Sequence, residues 1–188
     1  METTVGILLR KIRFTESSLI VTWFGEHSGK IKTMIRSALK TKSKFAGKAD
    51  LFYEAEVFYT RSKKSELCDL QDIVVRNRFS TGSSDYATLI MFSYFAELIE
   101  ATTELFHPAP DIYDLLRRAF VHLDTDGPSL RALHHFEKEL CRHLGVLNTQ
   151  VPSDLHYRSL LEYSGKPLAL RNTLTAIFKE KDDKTLDC

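Results

Sequence analysis

The chain has 188 residues, 43% of them hydrophobic, and a formal net charge of +1, enough apolar material for one large core or two small ones. Its three cysteines (Cys68, Cys141 and Cys188) are scattered without a CxxC pair, which argues against a disulfide framework or a zinc ribbon and makes a reducing cytoplasm the expected setting. The opening Met1-Glu2-Thr3-Thr4 lacks a signal-peptide pattern, and the longest apolar-rich segment, Tyr86 to Phe106, is broken by Glu97, Glu100 and Glu104, so no membrane span is expected.

In chain order, residues 1–80 read as strands. Val5 to Phe14 and Leu19 to Phe24 are rich in apolar and β-branched residues, and Glu26-His27-Ser28-Gly29 has the makings of a hairpin turn. From Lys30 to Arg36 the residues alternate: Ile31, Thr33 and Ile35 share one face and Lys30, Lys32 and Arg36 the other, which predicts three cations on an exposed sheet surface. A basic loop follows, then a strand over about Phe52 to Arg61 with Tyr53, Ala55, Val57 and Tyr59 on one face. A fifth strand runs over about Leu67 to Arg78 after the turn Ser62-Lys63-Lys64-Ser65-Glu66. Five short strands in this span predict a small barrel of OB type, with an SH3-like barrel as the alternative.

The periodicity changes after Phe79. Ser80-Thr81-Gly82-Ser83-Ser84 reads as a linker, and Tyr86 to Leu105 as a mostly buried helix with a narrow stripe of Ser93, Glu97, Glu100 and Glu104, ended by His107-Pro108-Ala109-Pro110. Asp111 reads as the N-cap of a second helix carrying Ile112, Leu115, Leu116, Ala119, Phe120 and Leu123. After Asp126-Gly127-Pro128-Ser129 a third helix presents Leu130, Leu133, Phe136, Leu140 and Leu144 and stops at Gly145. Residues 146–166 show no clean period. Leu170, Leu174 and Ile177 predict a last short helix before a frayed tail from Lys179. The expected division is a barrel domain over 1–80 and a helical domain over 81–188.

The charge follows that division. Residues 1–80 carry 15 Lys/Arg against 9 Asp/Glu, and residues 81–188 carry 11 against 16. Between Lys30 and Lys48 lie seven cations (Lys30, Lys32, Arg36, Lys40, Lys42, Lys44 and Lys48) and no acid. A nucleic-acid backbone suits so one-signed a segment, because each neutralised phosphate releases condensed counterions; a solvated loop kept for solubility is the plain alternative. Phe45, among those lysines, reads either as a platform on which a base stacks or as a plug anchoring the loop. Arg10, Lys11 and Arg13 are secondary additions to the patch, Trp23 and Phe24 read as core, and Lys63 and Lys64 as solvation at a hairpin tip.

Catalytic readings fare poorly. Asp69 and Asp72 fall on opposite faces of a strand, and His134-His135 and Cys141/His143 do not converge like a triad. No GxxxxGK[ST] loop is present, so autonomous ATP use is not expected; together with the readings above, neither catalysis nor a cofactor is expected.

The order Gly6-Ile7-Leu8-Leu9-Arg10, Glu16-Ser17-Ser18-Leu19-Ile20-Val21, Phe24, Gly29-Lys30-Ile31, Arg36-Ser37-Ala38-Leu39-Lys40-Thr41-Lys42-Ser43-Lys44-Phe45 and Leu51-Phe52 resembles the opening of the RecO family of DNA repair proteins. The agreement is best over residues 4–60 and extends through domain order to about residue 145. The resemblance implies an N-terminal OB fold and a helical domain. It also implies a mediator that binds single- and double-stranded DNA, anneals complementary strands, and works with RecR, and in some lineages RecF, to load RecA onto strands coated by single-strand binding protein (SSB). The helical domain is the expected dock for the acidic, apolar-ended SSB tail. Many family members carry a four-cysteine zinc site in that domain. Here only Cys141 lies in the region, with His143 and His156 nearby in sequence, and no metal is expected. Two other readings remain open: a protein-interaction adaptor whose barrel binds an acidic partner, and an RNA-binding OB module.

Overall fold

The computed structural model describes residues 1–62, 64–79, 85–146 and 152–186, with side chains as far as residue 180. The readings made for Lys63, the 80–84 linker and Cys188 lie outside the described residues. The chain forms two compact units, residues 1–79 with 103–114, and 80–102 with 115–188.

Five strands build the first unit: β1 (Glu2–Arg13), β2 (Leu19–Gly25), β3 (Gly29–Ile35), β4 (Tyr53–Thr60) and β5 (Leu67–Arg78). They close a barrel in the order β1-β2-β3-β5-β4, antiparallel throughout except for the β3–β5 pair. A parallel closure between the third and fifth strands is the OB-type order and excludes the SH3-like alternative. Leu8, Val21, Trp23, Ile31, Ile35, Val57 and Ile73 fill the interior. The polar atom of Trp23 is satisfied there, its Nε1 donating to Thr33 Oγ1 at 3.1 Å.

The basic connection between β3 and β4 is a chain of tight turns. Lys40 N, Ser43 N, Ala46 N and Lys48 N donate in succession to the carbonyls of Ser37, Lys40, Ser43 and Phe45. Phe45 is buried in the barrel core, with Ala38 and Ala49 packed against the same core. Leu39 N donates to Ser17 O at 3.0 Å and Phe52 N to Leu8 O at 2.9 Å, stitching the connection to the strands beside it.

The segment 103–114, read from the sequence as helical-domain chain, packs within the barrel unit. Leu105 bridges to Lys30, and Phe106 N donates to Lys30 O at 2.8 Å. Phe24 lies against Tyr113 with ring centroids 6.3 Å apart, and Tyr113 Oη donates to the buried Glu54 at 2.8 Å.

Five helices follow among the described residues: α1 (Tyr86–Thr102), α2 (Pro110–Thr125), α3 (Leu130–Leu144), α4 (Ser153–Ser164) and α5 (Leu170–Leu186). In the helical unit Phe95 stacks on Phe136 at 3.9 Å, and Phe92 meets Phe120 edge-on at 4.7 Å. Ser129 caps α3 by accepting from Ala132 N, and Gly145 ends it in the left-handed region, donating to Arg142 O. Three expectations are corrected. Asp111 is not a cap, because α2 already starts at Pro110, a residue suited to the first turn. Residues 153–164, without visible period, are helical; only His156 and Leu160 of α4 are buried, too narrow a stripe to read. The last helix runs to Leu186 instead of fraying at Lys179.

Candidate nucleic-acid interface

The cations nominated from the sequence divide into three groups. Lys30 is not on an open surface: it is 8% exposed, and its ammonium donates to Thr103 O. Strand alternation placed it on the outer face correctly, but segment 103–114 covers that part of the face. Arg36, Lys44 and Lys48 are tied to β5, through Asp69 at 2.9 Å, the Gln71 carbonyl at 2.6 Å and Asp72 at 3.7 Å respectively. Lys32, Lys40 and Lys42 have no ion-pair partner among the described residues, and Lys40 and Lys42 are exposed to solvent.

Phe45, the nominated stacking aromatic, is 7% exposed and belongs to the barrel core, so the plug reading is the one the structure adopts. Lys44 Nζ sits 4.9 Å from its ring centroid. A buried aromatic thus anchors the stretch of loop that carries these lysines. At its far end Lys11 donates to Asp50 at 2.6 Å. Burial opposes ionisation of Asp50, but the hydrogen bonds from Lys11 and from Leu51 N–H outweigh it and hold the carboxyl below its ordinary value.

Strand register supplies what the sequence left unresolved. A bulge between Leu8 and Arg10 resets the alternation of β1, after which Arg10 stands opposite Thr22 and Ile12 opposite Ile20. Thr22 stands opposite Lys32, and Ile20 opposite Met34. Directly opposed residues share a face, and Leu19, Val21 and Trp23 point inward, so Arg10, Thr22 and Lys32 form one outer row and Ile12, Ile20 and Met34 the next. This outer face has a covered half, where Ile7, Thr22, Phe24 and Lys30 lie buried, and a more open half, with Ile20, Lys32 and Met34 part-exposed and Arg10, Ile12 and Arg36 exposed, that leads to the basic loop. Trp23 and Phe24 are both core, as expected.

Asp69, Asp72, Cys141 and His143 each have other partners. Asp69 and Asp72 are the partners of Arg36 and Lys48. Cys141 Sγ donates to the backbone carbonyl of His156 at 3.4 Å, while a ring nitrogen of His143 lies 3.1 Å from Arg142 Nη2. Among the described residues no three His, Cys, Asp or Glu come together to hold a metal. No helix among the described residues is long and apolar enough to cross a membrane.

Comparison with known proteins bears on this geometry. The family model described as recombination protein O, N terminal, matches residues 1–79, and that described as recombination protein O, C terminal, matches residues 83–147. The chain is 26% identical over 141 residues to the DNA repair protein RecO of Syntrophus aciditrophicus, covering 75% of this chain and 53% of that protein. It is 33% identical over 149 residues to the DNA repair protein RecO of Listeria innocua, covering 79% and 58%. Against the protein of the same name from Desulfatibacillum aliphaticivorans it is 30% identical over 125 residues, covering 66% and 48%. The chain thus spans about half the length of the curated relatives it matches.

Proposed function

The chain belongs to the RecO family of DNA repair proteins, with an N-terminal and a C-terminal RecO domain, and from that premise we propose that it is a non-catalytic recombination mediator whose barrel holds DNA by its backbone. The observation that carries this reading is the open half of the barrel's outer face together with Lys32, Lys40 and Lys42, cations with no ion-pair partner among the described residues. Contacts of this kind neutralise phosphates without reading bases, so single and double strands are both bound, and affinity falls steeply with salt. Annealing of complementary strands follows when two backbones are screened on one surface while their bases stay free to pair. In the cell the partners on this reading are RecR, SSB-coated DNA and, in some lineages, RecF, with RecA the protein loaded.

The helical unit offers a cleft of about 490 Å³ between α1, α2 and α3. Its floor includes Phe95, Leu115 and Phe136, and its rim carries Arg118, Arg131 and His135. An apolar floor under a cationic rim suits the acidic, apolar-ended tail of SSB, and we assign that tail to this cleft.

Fluorescence anisotropy on labelled single-stranded DNA across a salt series tests the first part. Tight binding that weakens steeply with salt is expected; no binding at low salt by folded protein would overturn the DNA assignment. The adaptor reading then takes its place.

A further inference from the structure

We propose that Phe14 is a base-stacking residue, the aromatic contact through which this surface grips an unpaired nucleotide; the inference rests on the DNA-binding reading of the barrel. Phe14 directly follows β1 and is 56% exposed, more than any other large hydrophobic side chain described in the barrel unit except Met1. Ile12 stands opposite Ile20 on the more open outer face, and Phe14 lies just past the end of β1, where its N–H bonds the Ser18 carbonyl.

A hydrogen-bonded turn holds it there. Phe14 N donates to Ser18 O at 3.0 Å, and Ser18 N donates to Thr15 Oγ1 at 3.1 Å. Arg13 braces the same turn, donating to the carbonyls of Thr15 at 3.3 Å and Glu16 at 3.2 Å. The Ser17 carbonyl, in this turn, accepts from Leu39 N, which brings the hairpin tip alongside the stretch of basic loop that continues into Lys40 and Lys42. An exposed aromatic on a braced turn, beside cations that have no ion-pair partner among the described residues, matches what single-strand binding requires: a flat π-face for a base and positive charge for the flanking phosphates. A lone exposed phenylalanine is ordinary on protein surfaces; the adjoining cations are what specify an oligonucleotide as its occupant. Phe45, the aromatic within the basic run itself, cannot take this role because it fills the core.

The test compares the full chain with Phe14→Ala, Phe14→Leu and Phe14→Trp on single-stranded and duplex oligonucleotides of equal length, with circular dichroism to verify folding. Stacking on one base predicts that the Ala and Leu variants lose roughly 5- to 100-fold in single-strand affinity while Trp retains it. Duplex affinity should change little, because its bases are already paired and stacked. Unchanged single-strand affinity in folded Phe14→Ala, full retention by Phe14→Leu, or an equal loss on duplex would each overturn the stacking role. If the unaltered protein binds no DNA, the DNA-binding reading itself fails and takes this inference with it, an outcome separate from the other three.

Discussion

Arg171 grips Glu137 with two hydrogen bonds inside the helical unit, Nε to Oε1 at 2.7 Å and Nη2 to Oε2 at 3.3 Å. Glu137 is completely buried and also accepts from Tyr94 Oη at 2.7 Å, while the Arg171 guanidinium lies 4.2 Å from the Tyr157 ring centroid. Burial and then the Glu137 charge push the Tyr94 hydroxyl well above its ordinary pKa, so it remains a donor. Removing one partner strands a buried charge. Arg171→Met is expected to destabilise the helical unit by about 3–5 kcal/mol, and Glu137→Leu combined with Arg171→Met by less than the single change. Urea unfolding followed by helical circular dichroism measures both.

His156 gives the helical unit an acid-sensitive element. Its ring is buried, and neither nitrogen has a hydrogen-bond partner among the described residues. Burial lowers its pKa; Glu137 opposes that shift, and Lys138 and His134 add to it. The folded state therefore binds the proton more weakly than the unfolded state. Stability is complete above the unfolded value near pH 6.5 and falls as the pH drops through the interval down to the lowered folded value. Melting temperatures measured between about pH 8 and 5 should decline on the acid side, and His156→Leu should flatten that decline.

The cations of the basic run should separate by experiment. Lys40→Glu with Lys42→Glu, both at exposed positions, is expected to weaken DNA binding and reduce the single-strand salt slope by about 0.7 for each phosphate no longer neutralised, leaving the melting temperature close to that of the unaltered protein. Lys30→Ala should do the reverse. It removes the charge-assisted bond from the ammonium to the Thr103 carbonyl, lowering barrel stability by about 1.5–3 kcal/mol while the salt slope stays unchanged. Equal salt slopes in the Lys40/Lys42 variant and the unaltered protein would remove those lysines from the interface.

Gly29 is a close-approach position. Its φ is 66°, and a Cβ there would collide with the backbone of His107. Gly29→Ala is expected to cost about 2 kcal/mol or more, from the left-handed backbone and the displaced segment together. Thermal unfolding measures the loss, and an unchanged melting temperature would show that segment 103–114 does not need this approach.

The sequence was most legible where local rules act alone. The bounds of β5 fell at Leu67 and Arg78, and α3 ran to the glycine that terminates it, because turn and cap residues mark those ends. It was least legible where distant chain intervenes. Lys30 sits on the expected side of β3, yet Thr103 and Phe106, far along the chain, bury it. The faces of Arg10 and Ile12 depended on a bulge that strict alternation cannot show. Phe45 had two readings because a plug and a stacking platform call for the same residue among the same neighbours.

The barrel unit is interrupted in the chain, its last piece arriving only after the whole of α1. During synthesis the five strands emerge first, at a stage when Phe24 lacks the Tyr113 ring and the Lys30 ammonium lacks its carbonyl partner. Until the ribosome has delivered Tyr113, the nascent barrel carries an apolar strip beside a buried-to-be cation, the kind of surface that chaperones hold. A gene fragment ending at Phe79, the natural place to cut by strand count, would make that transient state permanent, and its product should be prone to aggregation.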